Sequence, residues 1–479
     1  MNYKTVFNIV GKVLVLEAIL LLLPLAVSLI YGESCVAAFL LSMAVALVLG
    51  GLLAFVFRKK AAGFSIRNGF AVVSFTWIGL SLIGALPFVI SGEIPSYTDA
   101  FFETVSGFTT TGASILTDVE AMSKGLLFWR SFTHWLGGMG ILVFVMAIME
   151  KTPERSINIL RAEMPGHTVD KLMPKAKSTA KVLYYIYIVL TLVEIILLLC
   201  GGMPLFDSVV HALGTAGTGG FGIKADSIAS YSPYLQWVIT VFMLLFGVSF
   251  NLYFLLLLRK WNSIRQSNEL WTYLGIFAVA AIVITVNIYP MYGRFSDSLR
   301  LAAFQVSSIM TTTGFATADF NQWPQLSKAI LLLLMFIGGC IGSTAGGIKV
   351  SRIVVLFQSS KNEIRRNFSP RAVSAVKLNG RVLNPSAEKS VLSYLVLYFF
   401  VIVAVFLLIS FEPFGFETNF SAAVSCLNNI GPGFALVGPA ASYASYSGFS
   451  KVVLSVAMLM GRLEIYPLIS LFTIRTWSK

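Results

Sequence analysis

Charged residues, cysteines and histidines are all scarce in this sequence of 479 residues. Only 12% of the residues are charged, about half the share that is usual in soluble domains. The four cysteines (Cys35, Cys200, Cys340 and Cys426) and the three histidines lie far apart, so the sequence shows neither a disulfide framework nor the ligand spacing of a metal site. These shortages exclude an ordinary soluble enzyme, a disordered chain and a fibrous protein.

Hydrophobic residues, by contrast, make up 57% of the chain, and the mean hydropathy is +0.81. A membrane-spanning helix needs about 20 mostly apolar residues, and ten runs approach that length. They cover approximately residues 13–31, 35–57, 69–91, 128–149, 182–203, 235–258, 271–291, 329–356, 391–411 and 452–474. The first run is followed at once by a second, so we interpret it as a retained helix and not as a signal peptide. The pattern predicts a polytopic membrane protein with both termini on one side.

The distribution of charge predicts which side that is. With the N-terminus inside, 27 of the 35 Lys and Arg residues fall in inside segments and seven in outside segments, as expected for cytoplasmic loops. Arg462 lies within the last apolar run. Twelve of the 22 acidic residues fall outside, where a negative surface would concentrate cations at a pore mouth. Charge that merely keeps exposed loops soluble explains the acidic residues equally well.

Four further segments are moderately apolar for about ten residues and then become rich in Gly and Thr. They are residues 97–117, 205–226, 297–319 and 417–438. Two of them are visibly alike, FETVSGFTTTGAS at 102–114 and FQVSSIMTTTGFA at 304–316. The other two contain TAGTGGFG at 215–222 and LNNIGPGF at 427–434. This periodicity predicts a fourfold repeat of span, half-helix, glycine loop and span.

Irregular backbone at membrane depth is tolerated where it is buried in protein or lines a water-filled cavity. Four related loops therefore suggest a ring around one axis, and a ring of carbonyls can replace the water shell of a dehydrated monovalent cation. Tight packing of small residues between helices is the alternative, but it does not explain four loops at matching positions. We find no nucleophile–base arrangement, and the sequence indicates no enzyme.

The four loops, the two preceding spans, the run GGCIGSTAGGIK at 338–349 and the ending GRLEIYPL at 461–468 resemble the TrkH/KtrB/HKT superfamily of potassium transporters, closest to the TrkH type. The resemblance implies an all-α polytopic membrane protein with two extra N-terminal helices and four pseudo-symmetric helix–pore-loop–helix repeats around one central pore. The implied units are residues 1–67 (two N-terminal helices), 68–150, 151–260, 261–360 and 361–479. The implied ion-binding residues of the selectivity filter are Thr110, Thr111, Gly112, Gly219, Gly220, Thr312, Thr313, Gly314, Asn429, Ile430 and Gly431.

Two features suggest control of flow. The glycine-rich run should interrupt the eighth span, and the resemblance implies that it forms an intramembrane gate beneath the filter. Its gating residues would be Gly338, Gly339, Gly342, Ser343, Thr344, Gly346, Gly347 and Lys349. A charge at mid-span is a functional hypothesis by default, and the resemblance implies that Arg462 is an electrostatic barrier in the pore. Close helix packing of the run, and an internal salt bridge from Arg462 to Glu464 or Glu194, are the alternatives.

The implied function is potassium uptake across the bacterial inner membrane, with both termini cytoplasmic. Sodium-permeable relatives carry serine where this chain has Gly112, and the differences among the four loops suggest looser discrimination than in a potassium channel. A sodium-permeable or cation-coupled symporter of the same fold, and a secondary transporter for an organic solute, are the alternatives. The basic inside loops at 151–181 and 357–389 could bind anionic lipid or a partner. The resemblance implies a homodimer with cytosolic TrkA-type RCK subunits that bind ATP, ADP or NAD(H), and no cofactor in this chain apart from the transported K⁺.

Overall fold

The computed structural model describes residues 2–58, 66–140, 176–369 and 375–473, which form α-helices and one short β-hairpin. Six of the described helical segments are long and apolar enough to span a membrane, and a seventh is added if one bent pair counts as a single span. The end of the predicted fourth span (141–149), most of the basic loop at 151–181 and the charges at 59–60 and 475–479 lie outside the described residues.

Two N-terminal spans precede the repeats. They comprise α1 (Tyr3–Leu20) with α2 (Leu22–Tyr31), and α3 (Val36–Val56). Gly11 on α1 and Gly50 on α3 bring the two backbones together, because a β-carbon on Gly11 would lie 2.7 Å from the Gly50 carbonyl oxygen. Small residues commonly allow such close approach between membrane helices.

Each of the four repeats begins with a long helix, which is followed by a short helix, an irregular loop and a second helix. The long helices are α4 (Ile66–Gly84, continued by α5, Leu86–Ser91), α8 (Ala176–Cys200), α13 (Asn268–Tyr292) and α17 (Pro385–Ile409). The short helices, called the pore helices below, are α6 (Tyr97–Phe108), α9 (Leu205–Gly217), α14 (Phe295–Met310) and α18 (Phe416–Asn428). The fourfold arrangement predicted from the sequence is therefore present.

The second helix of each repeat carries the main difference from the predicted spans. These helices are α7 (Lys124–Gly138), α10 (Pro233–Phe246) with α11 (Phe250–Leu257), α15 (Gln325–Ile337) with α16 (Val350–Phe368), and α19 (Gly448–Arg462) with α20 (Tyr466–Phe472). The short helix α12 (Trp261–Arg265) and the hairpin β1 (Lys377–Leu378) and β2 (Arg381–Val382) lie between repeats.

Three of these second helices are thus interrupted by irregular backbone, although the sequence predicted a break only in the eighth span. The chain bends by 87° between α10 and α11, because the Gly247 carbonyl accepts a hydrogen bond from the Cys340 N–H instead of continuing the helix. Between α19 and α20 the backbone of Glu464 and Ile465 has positive φ, and Pro467 in the first turn of α20 favours a new helix start.

Candidate functional site

The four pore helices end in the same backbone arrangement. Two residues before each loop glycine, the N–H donates to the carbonyl three residues earlier; one residue before the glycine, the N–H donates to the carbonyl five residues earlier. The second set of bonds joins Thr111 to Ser106, Gly219 to Gly214, Thr313 to Ser308 and Ile430 to Ser425, with N···O distances of 2.8, 2.9, 2.8 and 3.0 Å. The four loops are therefore equivalent in their backbone as well as in their sequence position.

Each loop also places two residues in the left-handed region of backbone conformation. The first is Thr110, Thr218, Thr312 or Asn429, with φ of 56, 55, 56 and 56°. The second is Gly112, Gly220, Gly314 or Gly431, with φ of 79, 77, 85 and 100°. Glycine adopts this region freely, whereas a β-branched residue there is a strained outlier. Such strain persists where the surroundings hold it, commonly at functional sites.

The four loop glycines close into a ring. A β-carbon on Gly112 would collide with the carbonyl oxygen of Gly219 in the second repeat. The other contacts follow in the same sense: Gly220 meets the Thr313 carbonyl, Gly314 meets the Ile430 carbonyl, and Gly431 meets the Thr111 carbonyl. Each repeat thus contacts the next and the fourth returns to the first. We call these eight residues the four-loop ring; it brings together every loop segment from which the sequence predicted filter residues.

Hydrogen bonds between buried hydroxyl and amide groups support the four-loop ring. Thr109 and Thr111 share a hydrogen bond of 2.7 Å between their Oγ1 atoms, and Thr311 and Thr313 form the same pair at the same distance. The Asn429 amide donates to Thr111 Oγ1 at 2.9 Å. Sequence analysis did not select Thr109, Thr311 or Thr218, although the first two belong to the TTT runs.

A cavity of about 310 Å³, called the outer cavity below, opens on one side of the ring and is lined by the four loop glycines Gly112, Gly220, Gly314 and Gly431. Among the described residues, the charged members of its lining are Arg130 and Lys224. Arg130 is buried and pairs with Glu103 at 2.7 Å. Glu103 also accepts the Ile115 N–H at 2.9 Å, so this pair supports the outward continuation of the first loop.

The acidic residues predicted to form an outer funnel serve largely as loop anchors. Glu33 accepts the backbone N–H groups of Lys124 and Gly125, and Asp99 pairs with Lys451 at 2.6 Å. Burial alone would raise the pKa of Glu412, but hydrogen bonds from Ser447 and Ser450 hold it below its ordinary value. At these positions the structure therefore favours a role in holding loops over a role in concentrating cations.

The glycine-rich run at 338–349 forms an irregular loop, which we call the intramembrane loop, beside the residues that precede the ring in the third and fourth repeats. Its Gly346 N–H donates to Thr312 Oγ1 at 2.6 Å, and its Gly347 N–H donates to the Asn428 carbonyl at 3.1 Å. It also exchanges backbone hydrogen bonds with residues 246–250 at the bend between α10 and α11. The predicted break in the eighth span is therefore present, and it contacts two of the four ring loops.

Arg462 joins the intramembrane loop to the first repeat. Its guanidinium donates to the carbonyl oxygens of Thr344 at 2.8 Å and of Gly138 at 2.6 Å, and also to that of Gly137. Glu464, one of the two partners considered for Arg462, pairs with Arg352 on α16. The side chain thus lies beside the intramembrane loop, at the end of α7.

Glu269 is a contact of the intramembrane loop that sequence analysis missed. It lies in the first turn of α13, is 6% exposed, and accepts the Ile341 N–H at 2.6 Å. The start of α13 is in turn bonded to the β1–β2 hairpin, since Asn379 Oδ1 accepts from Ser267 and from the Glu269 N–H. A single acidic residue at a span boundary carries no sequence signal that would have separated it from an ordinary helix N-terminus.

Comparison with known proteins decides the family. The sequence profile of the TrkH family, described as cation transport protein, matches residues 36–478. The chain belongs to the TrkH family. Across 100% of both chains it is 36% identical to a Trk system potassium uptake protein TrkH of Salmonella typhimurium, 35% to one of Escherichia coli and 33% to one of Halomonas elongata.

A solved TrkH structure has the same fold. The crystal structure of the potassium transporter TrkH from Vibrio parahaemolyticus matches with a TM-score of 0.89 and 33% identity, covering 100% of both chains. The all-α fold with repeats and the membership of a transport family, not an enzyme family, are therefore confirmed. The TrkH family resemblance covers the whole chain, including the ring and the intramembrane loop.

Proposed function

We propose that this protein conducts potassium ions across the bacterial inner membrane into the cell, through the four-loop ring as a selectivity filter. Ions pass from the outer cavity through the ring and then past the intramembrane loop and Arg462. The ion-binding residues are those predicted from the sequence in the loops that end at Gly112, Gly220, Gly314 and Gly431. The relatives named as potassium uptake proteins and the full-length TrkH match support the choice of ion.

One observation carries this proposal, namely the cyclic contact of each ring glycine with the carbonyl of the next repeat. Carbonyls gathered around one axis can replace the hydration shell of a monovalent cation. The pore helices end at this ring, so the partial negative charge of four helix C-termini points toward it. Both effects favour a dehydrated cation over an anion or an organic solute.

The geometry at Gly112 requires glycine, the residue that the resemblance associates with potassium selectivity. Sodium-permeable relatives carry serine at this position, but here a β-carbon would collide with the Gly219 carbonyl. The ring as formed in this protein therefore requires a residue without a side chain. The lack of space supports assignment to the potassium-selective branch of the family.

The intramembrane loop acts as the gate. Through Gly346 and Gly347 it bonds Thr312 and Asn428, which precede the ring residues of the third and fourth loops, and it is irregular backbone that can rearrange without unfolding a helix. The residues Gly338, Gly339, Gly342, Ser343, Thr344 and Lys349 belong to the same segment. Glu269 and Arg462 hold it from two sides, which gives the gate two anchors.

Arg462 adds an electrostatic barrier. A guanidinium close to the ion path repels a cation in a medium of low dielectric constant, and three backbone carbonyls hold it there. Removal of the charge lowers the barrier for every permeant cation. The barrier therefore limits flux more than it sets the choice between K⁺ and Na⁺.

A homodimer with a cytosolic TrkA-type partner regulates this gate. The supporting observations are the basic inside segments of the sequence and the family membership, since the relatives are named as parts of a Trk system. ATP, ADP or NAD(H) binds the partner. The 27 basic residues in inside segments support cytoplasmic termini. The proposed units keep the sequence boundaries at 68, 151, 261 and 361, of which 68 falls within α4 and 361 within α16.

Growth of bacterial cells that lack their own potassium uptake tests the proposal. Cells expressing this protein with its partner should grow on limiting potassium, whereas cells carrying the empty vector should not. Absence of rescue by protein that is correctly inserted in the membrane would contradict the proposed function.

A further inference from the structure

The carbonyl of Gly431 in the fourth repeat is held by two side chains of the protein. Ser425 Oγ and the Tyr443 hydroxyl both donate to it, each at 2.8 Å. Both donors are buried, with 0% and 2% of their surface exposed. A carbonyl oxygen has two lone pairs, so these two hydrogen bonds occupy its acceptor capacity.

The hydrogen bonding of the equivalent glycine carbonyl differs in the other three repeats. Among the hydrogen bonds of the described residues, the carbonyls of Gly112, Gly220 and Gly314 accept none from the protein. Ser308 lies six residues before Gly314, as Ser425 lies six before Gly431, yet Ser308 donates to the carbonyl of Phe315, one residue past the glycine. The same serine position therefore serves a different carbonyl in the fourth repeat.

Tyr443 is held firmly enough to fix the carbonyl it bonds. Its backbone N–H donates to the Ser114 carbonyl of the first repeat at 2.8 Å. Its ring packs on Phe102 with 5.6 Å between centroids and stacks on Tyr446 with 5.9 Å. The side chain thus ties the fourth loop to the first, where the ring closes.

We infer that Tyr443 and Ser425 withdraw the Gly431 carbonyl from ion coordination, so that the glycine level of the filter offers three carbonyl ligands instead of four. Tyr443 is accordingly a positioning residue that acts on ion choice through the fourth-repeat carbonyl. This inference rests on the proposed potassium pathway through the four-loop ring. The number and field strength of the coordinating carbonyls affect K⁺ over Na⁺ selectivity, so a missing ligand weakens the discrimination.

The test is the ratio of Na⁺ to K⁺ permeability, measured from reversal potentials in planar bilayers containing the purified full chain. Tyr443→Phe keeps the packed aromatic ring and removes one donor to the Gly431 carbonyl. Ser425→Ala removes the other donor and leaves the aromatic ring of Tyr443 in place. We expect each variant to lower the Na⁺-to-K⁺ permeability ratio, and the double variant to lower it severalfold, because the freed carbonyl joins the ion site. Tyr446→Phe is the matched control, because the Tyr446 side chain is equally buried but its hydroxyl bonds Asn419 at 2.8 Å and no residue of the four-loop ring.

Three results would overturn the inference, and one of them would overturn the proposed pathway as well. An unchanged ratio in the double variant, with potassium current retained, overturns the inference and leaves the proposed function intact. A ratio that rises in both single variants also overturns it, because Tyr443 would then only brace the loop. A wild-type protein that carries no potassium current overturns the proposed pathway itself, and this inference with it.

Discussion

The residues that precede the ring glycines by two positions carry the strain of the site. Thr110, Thr218 and Thr312 are β-branched, yet all three have φ near +56°, which costs about 1–3 kcal/mol for such a residue. Their pore helices end in this conformation, and the following N–H bonds back into the helix. The hydrogen bonds that close each helix end thus offset the local strain. They leave the carbonyl before each loop glycine in contact with the neighbouring repeat.

Substitution of Gly112 tests the ring at the scale of one residue. We expect Gly112→Ser to reduce potassium uptake about tenfold or more, because the new side chain would collide with the Gly219 carbonyl and because φ at this position is positive. Gly275→Ser is the control, since a β-carbon on that exposed glycine of α13 would meet no atom within 4 Å. Rubidium uptake by cells expressing equal amounts of each variant is the measurement. Equal uptake by the two variants would contradict the assignment of Gly112 to the ion path.

Removal of the charge on Arg462 tests the barrier. Arg462→Ala should raise the potassium flux severalfold, because the cation no longer passes a fixed positive charge. Arg366→Ala, at an exposed site on α16, should leave the flux unchanged. Rubidium flux into proteoliposomes is the measurement. Unchanged or lower flux in a correctly inserted Arg462→Ala protein would count against the barrier role.

At the scale of elements, the broken helices create the site. The pore helices stop short of crossing the membrane, and the bend between α10 and α11 frees backbone groups that hold the intramembrane loop. Irregular backbone in a membrane must find such partners. The ring, the bend and the intramembrane loop therefore form one hydrogen-bonded unit, not three separate features.

The anchor of the intramembrane loop gives a prediction at this scale. Glu269→Ala leaves the buried Ile341 N–H without its acceptor, at a cost of about 1–3 kcal/mol, and should therefore loosen the gate and raise the resting rubidium flux. Glu269→Gln keeps an acceptor oxygen and should stay close to wild type. Proteoliposome flux in the absence of any partner protein measures both. Equal flux in all three proteins would show that Glu269 does not restrain the gate.

The sequence predicted most of this element plan but not its finer contacts. The fourfold Gly-loop pattern located the ring glycines and the pore helices, because glycine spacing and apolar periodicity are local signals. The breaks before Phe250 and after Arg462, and the roles of Glu269, Ser425 and Tyr443, depend on contacts between residues far apart in the chain. Tyr443, for example, follows Gly431 by 12 positions. Its hydroxyl reaches the Gly431 carbonyl only because the loop between them folds back to the ring.

At the scale of the whole molecule, charge gives the pathway a direction. The surplus of basic residues falls in the predicted inside segments, and the proposed orientation accordingly has the outer cavity on the external side. An inside-negative membrane potential is worth about 2.3 kcal/mol per charge per 100 mV, so cations are driven from the outer cavity toward the intramembrane loop. The proposed pathway therefore predicts uptake under the potential alone.

Rubidium uptake into proteoliposomes that contain only this protein tests the central claim most directly. An inside-negative potential is imposed with no gradient of protons or sodium, and external potassium or sodium is added as competitor. We predict that rubidium accumulates, that potassium competes strongly, and that sodium competes weakly. Absence of accumulation under the potential alone, or equal competition by sodium, would contradict a potassium-selective path through the four-loop ring.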